Sequence, residues 1–374
     1  MEQVLITGGA GFIGTNLADR LLRLGVGVTV YDNLARRGAA QNLEWLRAQH
    51  GTRLAFIRGD VRDADGVRAA VRACDTVFHF AAQVAVTTSV ADPRQDFEVN
   101  ALGTLNVLEA ARQAPRPPAV LFTSTNKVYG GLGGVALVEQ PGRWALAARP
   151  QGIDESRPLD FHSPYGCSKG AADQYVRDYA RIYGLRTVVF RMSCIYGPHQ
   201  FGNEDQGWVA HFLISAVQNR PIIIYGDGKQ VRDILFVEDL VNAFLAARAR
   251  IERVAGEVFN IGGGPGNTLA VWTEFAPLIQ RLTGRLPAVT RSATRPGDQA
   301  VYVSDIRKAA RLLDWQPRVS VAEGCARLHA WIVAQPDLGT APAGRGTPVA
   351  ASVAAAAPYG DGFAGYSEGT AASG

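Results

Sequence analysis

The sequence predicts an α/β fold with a doubly wound parallel sheet and a smaller C-terminal substrate-binding domain. Apolar strands alternate with amphipathic helices through the first 190 residues, and a glycine-rich turn stands between the first strand and the first helix. Hydrophobic residues make up 47% of the 374 positions and charged residues 19%, and this composition excludes a disordered chain.

The first half of the chain supplies the main sheet. Periodicity predicts strands at Val4–Thr7, Val28–Tyr31, Leu54–Arg58, Thr76–Phe80, Val120–Ser124 and Thr187–Arg191. It predicts helices at Phe12–Leu24, Gly66–Ala73, Leu102–Gln113 and Ala171–Tyr183. Sheets of this kind bind ligands beyond the carboxyl ends of their strands, so we expect the functional residues there.

After residue 190 the pattern becomes less regular. Strands are expected at Ile222–Tyr225, Val231–Val237 and Val258–Ile261, and helices at Glu238–Arg248 and near 268–282, 305–313 and 320–334. We expect one domain over residues 1–190, with returns to it at about 231–262, and a substrate-binding region at 191–230 and 263–336. The long segment Gly130–Asp160 is a candidate lid. Residues 337–374 hold 11 Ala and 8 Gly, which predicts a disordered tail.

Net charge and cysteine content indicate which kinds of partner the protein can have and in which cellular compartment it works. The net charge is 38 − 34 = +4 and is scattered along the chain, so we expect no nucleic-acid partner. No apolar run approaches the roughly 18 residues of a membrane span, and Met1 leads into the first strand without a basic leader. We therefore expect a cytoplasmic protein with no membrane partner. The cysteines lack metal-ligand spacing, which predicts reduced thiols and no metal site.

A glycine-rich turn joins the first predicted strand to the first helix. In Thr7-Gly8-Gly9-Ala10-Gly11-Phe12-Ile13-Gly14, the spacing Gly9-x-Gly11-x-x-Gly14 matches the dinucleotide fingerprint, and Gly8-x-x-Gly11-x-x-Gly14 matches its variant. Glycines let the backbone approach a pyrophosphate that lies at the helix N-terminus. An ordinary tight turn is the alternative, but the strand–turn–helix context favours a dinucleotide site.

An acidic residue follows at the distance that this motif requires. Asp32 ends the second strand, 32 − 8 = 24 residues after Gly8, where a carboxylate binds the adenosine ribose hydroxyls. It would repel a 2′-phosphate, which favours NAD over NADP, although Arg36 and Arg37 could reverse this by folding over the ribose. The predicted cofactor-binding residues up to this point are Gly8, Gly11, Phe12, Ile13, Gly14, Asp32, Asn33, Asp60, Val61, Ala81 and Ala82.

A tyrosine and a lysine four residues apart form the candidate proton-transfer pair. Ser163 is a good N-cap and Pro164 a good first helical residue, so Tyr165 falls in the first turn and Lys169 on the same face. Lys169 is one of only four lysines among 38 basic residues. A base at neutral pH needs a phenol pKa well below its usual value of about 10. The lysine charge, the helix N-terminus and an oxidised nicotinamide would all lower it.

A hydroxyl-rich segment follows the fifth predicted strand. Thr125 stands at the carboxyl end of this strand, where its hydroxyl can bond the substrate oxygen that loses a proton, and Ser124 is the alternative. A hydroxyl-rich strand exit without catalytic function is the alternative, but the catalytic interpretation is favoured.

Together these residues resemble the extended short-chain dehydrogenase/reductase family, in particular its nucleotide-sugar epimerases and dehydratases. The resemblance covers roughly residues 3–335. It implies a Rossmann-like domain that binds NAD tightly, a C-terminal nucleotide-sugar domain, and a homodimer formed through helices 102–113 and 171–183. The family's catalytic set falls on Thr125, Tyr165 and Lys169, and its structural asparagine on Asn100, which joins Tyr165 and Lys169 among the residues expected to bind the cofactor.

Finer detail distinguishes the activities within that family. Its 4,6-dehydratases carry an Asp-Glu pair after the catalytic threonine, whereas Asn126 and Lys127 stand here, which disfavours water elimination. The strings Ser124–Gly130, Leu159–Tyr175, Asp205–Val209 and Gly228–Asp233 resemble the subfamily of CDP-paratose (CDP-tyvelose) 2-epimerases. The implied reaction is epimerisation at C2 by transient oxidation to a keto sugar and hydride return. Alternatives are a 4-epimerase, then a 4,6-dehydratase or net dehydrogenase, then a non-catalytic dinucleotide sensor.

The substrate is expected to be a nucleotide-diphosphate sugar. The resemblance places Arg232 and Arg295 at the diphosphate, and arginine suits this task because it offers two parallel donors to an anion. Further predicted substrate-binding residues are Gln83, Thr125, Asn126 and Gln206.

Overall fold

Seven parallel strands form the central sheet. The computed structural model describes residues 2–295 and 298–338. Its strands are β1 Gln3–Thr7, β2 Gly27–Asp32, β3 Leu54–Arg58, β4 Thr76–His79, β5 Ala119–Thr125, β6 Leu137–Gln140, β7 Arg143–Leu146, β8 Thr187–Met192, β9 Cys194–Tyr196, β10 Ile222–Tyr225, β11 Val231–Phe236, β12 Val258–Ile261, β13 Thr268–Ala270, β14 Val289–Ser292 and β15 Val301–Tyr302. The sheet order is β12-β8-β5-β4-β1-β2-β3, so the strand order reverses between β1 and β4. A ligand crevice is expected at that point.

Helices cover both faces of this sheet. They are α1 Phe12–Arg23, α2 Ala39–His50, α3 Ala64–Val71, α4 Val86–Ala91, α5 Pro93–Phe97, α6 Gly103–Arg112, α7 Ser163–Tyr183, α8 Trp208–Val217, α9 Val237–Ala249, α10 Ile251–Val254, α11 Phe275–Thr283, α12 Arg307–Leu313 and α13 Val321–Ala334. Within the described residues none of them is long and apolar enough to cross a membrane. Short 3₁₀ turns lie at Gly51–Arg53 and Asn126–Tyr129, and a π turn at Glu98–Leu102.

Alternate side chains of each strand enter different cores. Val4 and Ile6 belong to the cluster that packs on α1, α2 and α9, whereas Leu5 between them belongs to the cluster under α3, α6 and α7. This alternation follows from the twofold period of a strand, and burial on both faces is what a parallel sheet requires. The predicted doubly wound α/β fold is confirmed.

The second half of the chain forms smaller sheets and a third hydrophobic core. Strands β9, β13 and β15 pair with β11, and β10 pairs with β14. Helices α8, α11 and α13 enclose a cluster that includes Leu338, which is buried. Strand β12 joins the central sheet, but β11 does not. The predicted disordered tail, 337–374, lies outside the described residues except for Asp337 and Leu338.

Several predicted elements have other bounds. The helix expected near 268–282 is wrong in its first part, because Thr268–Ala270 pairs antiparallel with β11. Helix α11 begins only at Phe275, since Pro277 is tolerated in a first turn but not inside a helix. No sequence prediction covers helices α2, α4, α5, α8 and α10.

The candidate lid contains a hairpin, β6–β7. The backbone N–H of Trp144 donates to the Lys229 carbonyl at 3.0 Å, and its indole Nε1 donates to Asp227 Oδ2 at 2.8 Å. Arg143 forms an ion pair with Glu274 at 2.9 Å. These contacts hold the hairpin against residues 227–229 and 268–274.

Candidate active site

The glycine turn brings the backbone of β1 against the exit of β4. Gly8 has φ +66°, and a Cβ at this position would lie 2.7 Å from the Ala81 nitrogen. A Cβ on Gly14 would lie 2.5 Å from the Gly8 carbonyl oxygen. Larger side chains are therefore excluded from this turn, and the predicted cofactor residues Ala81 and Ala82 lie next to it.

Helix α1 begins at this turn, and no side chain of the helix offsets the partial positive charge at its N-terminus. Its N-cap, Gly11, has no side-chain cap, and the first turn contains no acidic residue. The positive helix N-terminus is thus open to an anion such as a pyrophosphate. Phe12 lines a small cavity of about 40 Å³ together with Gly11, Arg36, His199 and Gln206. Ile13 packs against the core beside α1.

Asp32 lies at the end of β2 beside the turn. Its carboxylate accepts hydrogen bonds from Ala10 N at 3.0 Å and Leu34 N at 2.8 Å. Burial raises the pKa of Asp32, and these two backbone donors oppose the rise. The charge of Arg36 acts on Tyr165, where it lowers the phenol pKa. Arg36, one of the two arginines that could have favoured a 2′-phosphate, therefore acts on the predicted base Tyr165.

The next predicted cofactor contacts follow β3. Asp60 accepts two hydrogen bonds from Arg62, at 2.9 and 3.0 Å, and one from Asn33 Nδ2 at 3.0 Å. The Arg62 guanidinium lowers the pKa of Asp60 to about 2. The side chain of Val61 lies in the hydrophobic core, where it contacts the position of Gly103, and not in the crevice.

The catalytic helix α7 starts eight residues earlier than its apolar pattern predicts. It begins at Ser163, which has φ +65°, and Pro164 lies within its first turn. The Ser163 hydroxyl accepts a hydrogen bond from Gly166 N at 3.3 Å, as an N-cap would. Tyr165 N donates to Ser89 Oγ of α4 at 3.1 Å, which fixes this first turn against the neighbouring helix.

Thr125 and Tyr165 meet in the crevice. Thr125 ends β5 and is 7% exposed, Tyr165 is 9% exposed, and the Thr125 hydroxyl lies close enough to the phenol to act on its pKa. Ser124 Oγ is buried without a partner among the described residues, so the structure pairs Tyr165 with Thr125. Burial raises the pKa of Tyr165 to about 12, and the Thr125 hydroxyl opposes the rise. The expected lowering is wrong for the protein alone, because desolvation outweighs the nearby favourable charge.

Lys169 lies one turn further along α7 and is 3% exposed. Its Nζ is 4.2 Å from the centroid of the Phe122 ring, a cation–π contact. Burial lowers the pKa of Lys169 to about 7, although Asp173 and Asp96 act in the opposite direction. A desolvated ammonium of this kind is typical of functional sites.

Asn100 connects the exit of β4 to the catalytic helix. Its Oδ1 accepts from Gln83 N at 2.9 Å, and its Nδ2 lies 3.0 Å from both Gln83 O and Ser168 Oγ. The Gln83 side chain bonds the backbone of Ala85, with its Nε2 2.8 Å from the Ala85 carbonyl. Asn100 lies in the π turn, and such turns are frequent at functional sites.

Arg232 and Arg295 are both paired with carboxylates. Arg232, on β11, is 7% exposed and donates to Asp298 Oδ1 at 2.6 Å. Arg295 lies 3.9 Å over the Tyr225 ring and 3.5 Å from Glu204 Oε1. An incoming diphosphate would have to share these guanidinium groups with the protein's own acids.

Asn126 contacts Gln299, whereas Gln206 lines the small cavity beside Gly11. Asn126 Nδ2 is 3.4 Å from Gln299 Oε1, and Gln299 Nε2 donates to the Gly130 carbonyl at 2.6 Å. Gln299 is 2% exposed and was not predicted, since no local pattern marks a contact across 173 residues. Within the described residues, no group of three or more His, Cys, Asp or Glu side chains is arranged to hold a metal ion.

Comparison with known proteins agrees with this geometry. Residues 4–262 match the NAD dependent epimerase/dehydratase family. The chain is 45% identical to the CDP-paratose 2-epimerase of Salmonella typhi, over 88% of this chain and 98% of that protein. It is 35% identical to the UDP-glucose 4-epimerase of Mycolicibacterium smegmatis, over 87% and 96%.

Solved structures give the same result. The UDP-glucose 4-epimerase of Thermus thermophilus, crystallised in complex with NAD, superposes with a TM-score of 0.74 at 33% identity and covers 88% of this chain and 98% of its own. The resemblance predicted from the motifs is confirmed, as are NAD as the cofactor type and an enzymatic function. The chain belongs to the NAD dependent epimerase/dehydratase family.

Proposed function

We propose that the protein epimerises a nucleotide-diphosphate sugar at C2, with a CDP-linked deoxy sugar such as CDP-paratose as its substrate. The observation that carries this proposal is the buried pair Thr125 and Tyr165, in which the threonine hydroxyl lowers the phenol pKa, with Lys169 on the same helix as Tyr165. The choice of C2 and of the cytidine nucleotide rests on the 45% identity to the Salmonella typhi enzyme.

The crevice has the features that NAD requires. The open N-terminus of α1 and the glycine turn suit the pyrophosphate, and Asp32 suits the adenosine ribose. The residues assigned to the cofactor are Gly8, Gly11, Phe12, Ile13, Gly14, Asp32, Asn33, Asp60, Ala81, Ala82, Asn100, Tyr165 and Lys169, with Val61 acting through its packing under the loop. When bound, NAD supplies the acceptor and then the donor of one hydride, together with a positive charge that lowers the phenol pKa.

Tyr165 is assigned as the general base. Its hydroxyl takes the proton of the sugar C2 hydroxyl, and Thr125 bonds the same oxygen and orients it. Lys169 stabilises the phenolate by its charge. Because these groups are already placed and desolvated, they stabilise charge at the reacting oxygen without reorganisation.

The substrate side is assigned to residues around β11. Arg232 and Arg295 neutralise the diphosphate in exchange for Asp298 and Glu204, while Gln83, Asn126 and Gln206 contact the sugar and its surroundings. Asn126 and Lys127 stand where elimination would need a carboxylate pair, which favours epimerisation over dehydration. A 4-epimerase using the same residues is the second candidate, since the 35% identical Mycolicibacterium smegmatis enzyme carries that name.

We also propose a cytoplasmic homodimer with the NAD domain at residues 1–190 and about 231–262. Val90, Phe97, Ile182 and Tyr183 are more than half exposed on α4, α5 and α7. The homodimer is expected to form through helices 102–113 and 171–183, where Ile182 and Tyr183 offer apolar surface to a second copy of the chain. All four cysteines are free thiols, as in a reducing compartment.

The test is a panel of sugar nucleotides incubated with purified protein and NAD. Carbon-by-carbon NMR of each product should show inversion at C2 of CDP-paratose, with no accumulation of NADH at 340 nm. Inversion at C4 of UDP-glucose alone would replace the proposal by the second candidate. Stoichiometric NADH would indicate a net dehydrogenase instead.

A further inference from the structure

A carboxylate that no sequence motif marks is buried beside the catalytic helix. Asp96, on α5, is 0% exposed. Its carboxylate accepts hydrogen bonds from the Ser168 hydroxyl and from Asn100 Nδ2, the latter at 3.2 Å. Ser168 directly precedes Lys169, so this carboxylate reaches the catalytic helix through a single hydroxyl.

Both donors to Asp96 are neutral. Among the described residues no Lys, Arg or His lies within ion-pairing distance of it, and its charge acts instead on Lys169 and Tyr165. An unpaired buried carboxylate is expensive, so its position calls for a compensating function. The cation whose charge acts on this carboxylate is the Lys169 ammonium.

The second acid near Lys169 already has a partner. Asp173 receives two hydrogen bonds from Arg191, at 2.8 and 2.9 Å, and both side chains are buried. Asp96 is therefore the carboxylate without a cationic hydrogen-bond partner whose charge acts on Lys169. Burial raises the pKa of Asp96, and the Ser168 hydroxyl and the Lys169 charge oppose that rise. The other titratable groups near the pair are His79 from β4, which is buried and neutral and on which the Lys169 charge acts, and Tyr165, on which Arg36 from the loop after β2 acts.

We propose that Asp96 is a positioning residue: its charge holds Lys169 as an ammonium, and its bond to Ser168 fixes the turn of α7 that carries Lys169 beside Tyr165. This inference rests on the proposed function for its kinetic readout. Asp96 is thus a fourth functional residue beside Thr125, Tyr165 and Lys169, and it acts through them without touching the substrate.

The test is the pH profile of kcat/KM for Asp96→Asn in the holoenzyme. Removing a negative charge favours the phenolate of Tyr165 and disfavours the ammonium of Lys169, so the pKa of each group falls. Both limbs of the profile should move to lower pH by about 1 unit. Asp96→Glu should restore the position of the limbs even where its longer side chain lowers the maximum rate. A lower rate with unmoved limbs would overturn the proposal.

A second readout does not depend on turnover. The protein is labelled with ¹³C in its tyrosine rings, and the NMR signal of Tyr165 is assigned as the one that Tyr165→Phe lacks. This signal should titrate at lower pH in NAD-loaded Asp96→Asn than in the NAD-loaded wild type. This NMR titration needs no substrate, so it separates failure of this inference from failure of the proposed substrate.

Asp92→Asn is the control, because Asp92 is exposed, lies at the start of the same helix and only caps it by accepting a hydrogen bond from Gln95 N. If Asp96→Asn does not fold, Asp96→Ser, which removes the charge but keeps a hydroxyl acceptor, should shift the same signal in the same direction, and an unmoved signal would contradict the proposal.

Discussion

The guanidinium of Arg191 holds the carboxylate of Asp173 through two hydrogen bonds, from Nη2 at 2.8 Å and from Nε at 2.9 Å, with side chains 3% and 0% exposed. The pair joins β8 of the central sheet to the middle of α7. Arg191 Nη1 also donates to the Tyr129 hydroxyl at 3.1 Å, which extends the link to the turn after Thr125. The two segments that carry the proposed catalytic residues are thus fixed to one strand.

Replacing Arg191 by methionine should destabilise the protein by about 3–5 kcal/mol, because it leaves the Asp173 carboxylate buried and unpaired. The free energy of unfolding from urea denaturation measures this. The matched control is Arg186→Met, whose pair with Glu252 at 2.8 Å is exposed, and it should cost less than about 1 kcal/mol. Equal losses in the two variants would mean that burial of the first pair has no energetic consequence.

Gly8→Ala should abolish NAD binding and destabilise the turn. Its Cβ would meet the backbone at Ala81, at 2.7 Å, in addition to the strain of a positive φ. Gly25 provides the control, since it also has a positive φ, +79°, but nothing lies within 4 Å of the place that an added Cβ would take. Gly25→Ala should lose about 1 kcal/mol of stability and bind NAD like wild type in calorimetric titration. Retention of NAD by Gly8→Ala would contradict the assigned cradle.

Stability should fall as the pH drops below about 6.5, in part because of His79. This ring is 1% exposed, lies 2.7 Å from Thr7 Oγ1 and 3.0 Å from Thr104 Oγ1, and burial lowers its pKa to about 3. Between pH 6.5 and 3 the unfolded chain binds a proton that the folded chain does not. The free energy of unfolding therefore decreases on acidification, by up to about 1.4 kcal/mol per pH unit from this group.

His79→Gln should accordingly flatten the dependence of unfolding free energy on pH over that window, measured by urea denaturation from pH 6.5 to 4.5. His329→Gln is the comparison, since His329 is only partly buried, and it should change the slope less. The same slope in wild type and His79→Gln would show that this histidine is not held neutral.

Tyr165→Phe should reduce kcat by at least about 10²-fold, since it removes the proton acceptor. It should leave NAD bound, because the hydroxyl is not part of the glycine turn. Tyr175→Phe alters an exposed tyrosine of the same helix and should retain full activity. Rates for epimerisation and NAD content per subunit are the measurements, and an active Tyr165→Phe enzyme would remove the assigned base.

Residues that form contiguous motifs were predictable from the sequence, whereas contacts between distant segments were not. The glycine turn, Asp32 and the Tyr165–Lys169 spacing are local patterns, and the structure gathers them at one crevice. The Asp96–Ser168 bond spans 72 residues and the Asn126–Gln299 bond 173, so no window of sequence contains either. The pKa of Tyr165 was misjudged for the same reason, because its desolvation comes from packing that only the tertiary structure supplies.

The start of α7 illustrates the same limit. Its apolar periodicity is clear only from Ala171, since the residues before it face the crevice and are polar or small. The cap and proline at 163–164 did mark the true start, so local chemistry was the better guide there.

The most direct measurement of the central claim is the isotope content at the inverted carbon after epimerisation in heavy water. Proton removal by Tyr165 from the hydroxyl, with hydride return from within the closed crevice, predicts that the product keeps protium at C2. Mass spectrometry and ¹H NMR of the isolated product would detect the alternative. Full deuterium incorporation at that carbon would contradict the account, because it requires a base that acts on the C–H bond itself.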